Sequence, residues 1–341
     1  MELDPTAKER KKDHIELAFQ SQVETHQLDK RFYYEPILSA HPTDQTLTPF
    51  SFLGKQMKVP IWVSSMTGGT ALAKTINHNL AKACGEFGMG MGLGSCRSLL
   101  YSEEMLADFN VRHLIGNDLP FYANLGIAQV EELIIQKELF RVERMVEQLQ
   151  VDGLIIHVNP FQEWMQPEGD HFGNPPLETI RIFLDQTDIP VIVKEVGQGM
   201  GYESLKALFQ LPLMAVDFAA SGGTNFALLE LLRSDPIQKE RFQQLTHIGH
   251  SAEEMVQLTN IIKTELGDNR RCQQVIISGG VKDFLDGYYL LQSLQLPAVY
   301  GQASVFLKHA RGTYQELQKY VSDQIEGLKL ATAYLRVKKM V

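Results

Sequence analysis

The chain is poor in cysteine. Its 341 residues hold three, Cys84, Cys96 and Cys272, an odd number, widely scattered and nowhere in C-x-x-C spacing. That excludes a disulfide framework and a structural zinc site, and it points to a reducing compartment. No stretch of about eighteen predominantly apolar residues is present, so no membrane-spanning helix is expected. The first ten residues are charged and lack the apolar core of a secretory leader, which makes a cytoplasmic protein the expectation. Positive charge is also short: the net charge is −9, and no basic stripe offers itself to nucleic-acid phosphates. An acidic protein can still hold a phosphorylated small molecule where basic groups gather locally. Finally, no G-x-G-x-x-G turn opens a helix after the first apolar run, which weighs against a doubly wound dinucleotide-binding sheet.

What is present is a regular alternation. Hydrophobic residues make up 44% of the chain and charged residues 21%, enough apolar content to bury a sizeable core. Short apolar runs fall at 61–66, 88–93, 121–125, 153–157, 191–196, 214–218, 275–278 and 298–301. They are rich in Val, Ile and Leu without strict alternation, as parallel strands buried on both faces require. Amphipathic segments lie between them. Leu139, Val142, Met145, Val146 and Leu149 form one apolar stripe; Met255, Val256, Thr259 and Ile262 form another, behind a cap at Ser251. Eight such units over roughly 250 residues predict an α/β fold, a (β/α)8 TIM barrel. The expected layout is a single domain, 1–341: an N-terminal extension at 1–59 with a helix at 7–20, the barrel at 60–310, and a C-terminal helical segment at 311–341, its helix at 317–335. The alternating glycines of 88–94 run through a strand pattern and read as close packing inside the barrel.

Every predicted strand exit is polar or glycine-rich. Residues 66–70 are Met-Thr-Gly-Gly-Thr, 94–97 are Gly-Ser-Cys-Arg, and 124–126 are Asn-Leu-Gly. The fourth exit is the richest: residues 157–170 supply an imidazole, carboxamides, three carboxylates and two prolines. Then come Lys194 to Gly197, the Ser-Gly-Gly-Thr-Asn of 221–225, the Ser-Gly-Gly of 278–280 and the Gly-Gln-Ala-Ser of 301–304. Glycines flanked by Ser or Thr let backbone N–H groups approach a phosphate, and strands 7 and 8 are where such barrels commonly hold one. Residues 278–280 with 301–304 therefore form a candidate cofactor-phosphate cradle, to which 221–224 adds.

Lys194 sits inside an apolar strand, where burial is costly unless it meets an anion or serves chemistry. An ion pair with Glu195 is disfavoured, because adjacent strand residues face opposite sides. A cation beside an electron-rich cofactor and a Schiff-base nucleophile both remain open. Glu163, with Gln162 beside it, suits Mg²⁺, which takes few protein ligands and completes its shell with phosphate and water. His157, Asn159 and Arg97 add groups complementary to an anion. Arg10 and His14 share a helix face, a pattern that by itself most often means a solvated surface.

Taken in order, Arg10-Lys11-x-x-His14, Met66-Thr-Gly-Gly69, Ser95-x-Arg97, Asn124-x-Gly126, His157-x-Asn-x-x-Gln-Glu163, Lys194-Glu-Val-Gly197, Gly222-Gly-Thr224 and Ser278-Gly-Gly280 closely resemble the type 2, FMN-dependent isopentenyl-diphosphate isomerases. The likeness runs from Arg10 to Ser304. It implies a TIM barrel in a homo-oligomer, a tetramer or octamer. The implied reaction interconverts isopentenyl and dimethylallyl diphosphate in isoprene biosynthesis, with reduced FMN, Mg²⁺ and NADPH as reductant. By position, the resemblance places FMN on Met66, Thr67, Gly68, Ser95, Asn124, Lys194, Thr224, Gly279, Gly280, Ala303 and Ser304. It gives the substrate to Arg10, Lys11, Ser95, Cys96, Arg97, His157 and Gln162, and Mg²⁺ to Glu163. Lys194, His157 and Gln162 become the catalytic set, and the N-terminal basic pair becomes a diphosphate clamp. Phe226 stands where many members carry Trp, and His250 where Pro, Ile or Gln is common. Cys96 occupies a variable position, so its contact is expected from the backbone. No nucleic acid or membrane partner is implied.

Three other readings compete. An FMN oxidase of 2-hydroxy acids needs a base, typically His, near the seventh exit, which here is Ser-Gly-Gly. A class I aldolase would use Lys194 without flavin. A non-catalytic binding barrel would have no need of every charged anchor.

Overall fold

The computed structural model describes residues 6–65 and 71–338. Eight short strands close into one parallel barrel: β1 (Ile61–Val63), β2 (Gly90–Gly92), β3 (Phe121–Gly126), β4 (Gly153–His157), β5 (Val191–Lys194), β6 (Ala215–Asp217), β7 (Val275–Ser278) and β8 (Ala298–Gln302). Each pairs in parallel with its neighbours in sequence, and Tyr300 opposite Ile61 closes β8 on β1. The (β/α)8 expectation holds. Nearly every strand residue is buried, which is why the runs show no alternation: one face fills the barrel and the other meets the helices.

The barrel interior is tight. Trp62 and Tyr122 are essentially inaccessible, with ring centroids 6.3 Å apart. A Cβ on Gly90 would lie 2.5 Å from the Trp62 ring, and one on Gly92 would lie 2.6 Å from Ile155 Cδ1. The alternating glycines thus make room for large neighbours.

Several strands differ in length from the sequence pattern for local reasons. The second starts at Gly90, because Gly88 (φ +74°) ends the preceding helix Ala71–Phe87 by donating its N–H to the Cys84 carbonyl. The fifth stops at Lys194, because the chain turns at once around the Glu195 carboxylate. The third and eighth each run one residue further than the pattern indicates.

The stripe on Phe140–Leu149 buries Val142, Met145 and Leu149. The helix Ala252–Leu266 is capped by Ser251, whose Oγ accepts the Glu254 N–H at 3.1 Å. The N-terminal helix spans Ala7–Leu17, shorter than 7–20. The C-terminal helix spans Tyr314–Tyr334, starting earlier than 317. It ends one residue sooner because Leu335–Val337 leaves it to pair antiparallel with Phe32–Tyr34 of the N-terminal extension. A hairpin of Phe50–Phe52 and Lys55–Met57 buries Phe52 and Met57 completely. Its backbone bonds Asp118 and Gln274, and Lys58 just after it bonds Gly88; all three partners precede strands, so the hairpin closes the end of the barrel opposite the strand exits.

Candidate functional site

Because the strands are parallel, their C-terminal ends share one mouth, and the mouth has two unlike halves. From β6 through β8 to β1 the wall is mostly backbone and small side chains. A cavity of about 190 Å³ is lined there by Ser64 and Ser65 after β1, Gly222 to Thr224 after β6, Ser278 to Gly280 after β7, and Gly301 to Ser304 at β8, with Lys194 and Phe226 at its side. Gly279 has φ +87°, and a Cβ on it would fall 2.0 Å from the Ala220 carbonyl oxygen. No other residue fits that turn. The Ser64 and Ser65 hydroxyls are buried at this wall without a hydrogen-bond partner among the described residues. Orphaned donors beside a glycine cradle are what a phosphorylated ligand would satisfy. The predicted FMN positions Thr224, Gly279, Gly280, Ala303 and Ser304 meet here.

Lys194 lies at the end of β5, 7% exposed, with Nζ donating to the Glu195 carbonyl at 2.6 Å. The Glu195 carboxylate is engaged elsewhere. Its Oε2 accepts the N–H groups of Gly197, Gln198 and Gly199 at 2.7, 2.6 and 2.8 Å, so the Lys194–Glu195 ion pair is absent. In register with Lys194 on β6 is Asp217, fully buried and bonded by the Ser278 hydroxyl. Burial raises the Asp217 pKa, and nearby Lys194 opposes the shift. Its Oδ2 has no hydrogen-bond partner among the described residues.

From β2 to β5 the mouth is built from side chains. Asn124 Nδ2 donates to the Leu93 carbonyl at 3.1 Å, so its Oδ1 faces His157 Nδ1, 2.7 Å away. The imidazole must therefore carry its proton on Nδ1 and keep Nε2 as an acceptor. Burial, then the charge of Lys194, pushes the His157 pKa down to about 3, which holds the ring neutral. After β4, Pro160 opens the short helix Pro160–Met165. Asn159 Nδ2 donates to Gln162 Oε1 at 3.0 Å and to Glu163 Oε1 at 2.9 Å, while Glu163 Oε2 accepts the Asp170 N–H at 2.8 Å. One hydrogen bond per oxygen leaves each with capacity for another partner. Among the described residues no group of three or more His, Cys, Asp or Glu side chains could hold a metal alone. A single carboxylate fits only a cation that substrate and water also ligate, as Mg²⁺ does.

Arg97 is exposed and pairs with Asp170 at 2.6 Å, while Gln129 donates to the same Asp170 oxygen at 2.8 Å. Glu168 pairs with Arg233. The two further carboxylates of the fourth exit are thus loop braces. Ser95 is exposed after β2. Cys96 is fully buried, its thiol directed to the Gly94 carbonyl and its pKa pushed up to about 12 by burial, which leaves its backbone as the group for contact. Arg10 and Lys11 lie on the exposed helix Ala7–Leu17 and do not line the cavity. Met66, Thr67 and Gly68 lie outside the described residues.

Sequence reasoning missed Ser64, Ser65, Asp217, Gln129 and Glu230. Ser64 and Ser65 directly precede a glycine-rich exit, and Asp217 is an acid in an apolar run, the same signal that exposed Lys194. Gln129 and Glu230 sit on helices, at 3.3 Å from Gln162 in the case of Glu230, and nothing local marks them.

Fold and mouth define a (β/α)8-barrel enzyme with a glycine-rich cavity at the C-terminal ends of its strands. Solved structures with this architecture include a mandelate oxidase mutant carrying an FMN adduct (TM-score 0.56, 12% identity, 91% of this chain and 89% of that one). A flavocytochrome b2 mutant with pyruvate bound is another (TM-score 0.60, 14% identity, 88% and 70%). At such identities the likeness concerns the fold alone. No protein-family model matches the chain. In sequence it is 33% identical over 330 residues to the isopentenyl-diphosphate delta-isomerase of Rickettsia africae (strain ESF-5), covering 94% of this chain and 92% of that protein. It is 32% identical over 327 residues to that of Rickettsia prowazekii (strain Madrid E), covering 94% of this chain. The chain belongs to the isopentenyl-diphosphate delta-isomerase family, and its barrel fits the type 2 form that the motif series resembles.

Proposed function

We propose that this chain interconverts isopentenyl and dimethylallyl diphosphate with reduced FMN and Mg²⁺, NADPH being the reductant. The observation that carries the reading is the pairing of a glycine cradle with orphaned serine hydroxyls on one side of the mouth and a neutral, hydrogen-bonded His157 on the other. Moving a double bond requires a proton to be added at one carbon and removed at another, tasks that reduced FMN supplies when bound.

The side chains position, desolvate and balance charge. Thr224, Gly279, Gly280, Ala303 and Ser304 hold the flavin phosphate, with Ser95, Asn124 and residues 66–68 along the rest of the cofactor. Lys194, anchored on the Glu195 carbonyl, sets a buried positive charge at the edge of the cradle and favours an anionic flavin. His157 and Gln162 contact the substrate as hydrogen-bonding groups. Glu163 takes Mg²⁺ together with the diphosphate. Arg97 exchanges its exposed Asp170 partner for the diphosphate, a cheap exchange because exposed ion pairs contribute about 1 kcal/mol or less. Arg10, Lys11 and the Cys96 backbone complete the anion site on the strength of the family resemblance. The chain acts as a single domain in a cytoplasmic homo-oligomer, a tetramer or octamer, without nucleic acid or membrane.

The test is direct. Purified protein loaded with FMN, reduced anaerobically and given Mg²⁺, should convert isopentenyl into dimethylallyl diphosphate. Tight FMN binding with no conversion under those conditions would defeat the reading.

A further inference from the structure

A second cavity, of about 540 Å³, lies outside the barrel behind the exits of β4 and β5. That volume is in the range of small-molecule sites. Its walls are largely apolar, with Phe161, Leu177, Ile180, Val193, Met200 and Leu208 among them. Two carboxylates, Glu195 and Glu203, also line it, and no lysine or arginine does.

Glu195 is the unusual member. It is 8% exposed and lies just past the end of β5, on the wall of this cavity. Three backbone N–H groups converge on its Oε2, while its Oε1 has no hydrogen-bond partner among the described residues. Burial raises its pKa even against those three donors and Lys194. A carboxylate held by one oxygen, its other oxygen free at the wall of an apolar cavity with no lysine or arginine among the described residues lining it, is a ready partner for a cationic ligand. His250, a position the isomerase reading leaves without a role, closes the same cavity and covers Gly201, with Nδ1 2.8 Å from Glu254 Oε1.

We propose that this cavity is a binding site for an apolar amine, its ammonium group paired with Glu195 and its hydrocarbon body against Phe161, Ile180 and Leu208. An anionic ligand would meet two carboxylates and no lysine or arginine among the described residues. A neutral alcohol would fill the apolar walls without adding an ion pair to Glu195. The site is separate from the mouth yet one residue from Lys194, whose Nζ rests on the Glu195 carbonyl.

The experiment is calorimetric titration of the full chain, purified with its flavin, using cyclohexylmethylamine and its near-isostere cyclohexylmethanol. The amine should bind at one site per chain, at least tenfold more tightly than the alcohol. Glu195→Gln should bring the amine down to the level of the alcohol. Ala207→Phe, which fills the cavity from the helix Tyr202–Phe209, should abolish binding of both while FMN content and Tm stay unchanged. Equal affinity for the two probes, no binding of either, or amine binding that survives Ala207→Phe would overturn the proposal. Should Glu195→Gln fail to fold, the amine–alcohol comparison and Ala207→Phe still decide it.

Discussion

From β6 to β8 the mouth offers backbone and small groups: five glycines, Gly222, Gly223, Gly279, Gly280 and Gly301, with small hydroxyls beside them. From β2 to β5 it offers side chains, Asn124, His157, Asn159, Gln162 and Glu163, held to one another by hydrogen bonds of 2.7 to 3.0 Å. The first half is specified by what must be absent, since a Cβ on Gly279 would strike the Ala220 backbone and break the turn. The second is specified by which groups are present and how they are held. A backbone cradle suits a permanently bound phosphate, which always meets the same N–H groups. A side-chain network suits a substrate that must come, react and leave.

That contrast is sharpest under substitution. The largest effect is expected for Gly279→Ala, which puts a methyl group 2.0 Å from the Ala220 carbonyl at φ +87°. Strain of about 1–3 kcal/mol or more should lower Tm and empty the flavin site, read by absorbance of the purified protein. Retention of normal FMN content would break the distinction between the halves.

His157 should give a smaller, pH-dependent effect. Its native pKa of about 3 lies below the ordinary 6.5, so as pH falls through that window the unfolded chain takes up the proton first and stability is lost. The wild type should therefore lose more stability than His157→Gln between pH 6.5 and 3, by at most about 1.4 kcal/mol per pH unit. Denaturant melts across that range measure the difference, and parallel slopes would remove the buried neutral imidazole. Smallest in stability is Arg97→Ala, less than about 1 kcal/mol because the Arg97–Asp170 pair is solvent-exposed. Its effect should appear instead as a raised KM for the diphosphate.

The backbone half was the more legible in sequence. Glycine-rich exits at 222–224 and 278–280 announce themselves, because only glycine permits those turns. Lys194 was legible as a charge in an apolar strand, and Asp217 carried the same signal unnoticed. The side-chain half was read for its chemistry and not for its wiring. That Asp170 braces Arg97, and that Gln129 and Glu230 reach in from helices, follows from packing between distant segments and leaves no local pattern. Strand number followed from apolar runs. Their ends did not, because Gly88 and the Glu195 turn are set by hydrogen bonds that hydropathy does not record.

The proposed division of labour rests on Glu163, assigned to the substrate half and hydrogen-bonded to Asn159 and to the Asp170 backbone. Glu163→Ala, assayed side by side for FMN affinity and for Mg²⁺-dependent conversion of isopentenyl diphosphate, tests it most directly. FMN affinity should stay within about twofold while turnover falls by roughly 10²-fold or more, the scale of a lost charge-stabilising group. Equal loss of both would contradict a mouth whose two halves bind separate ligands.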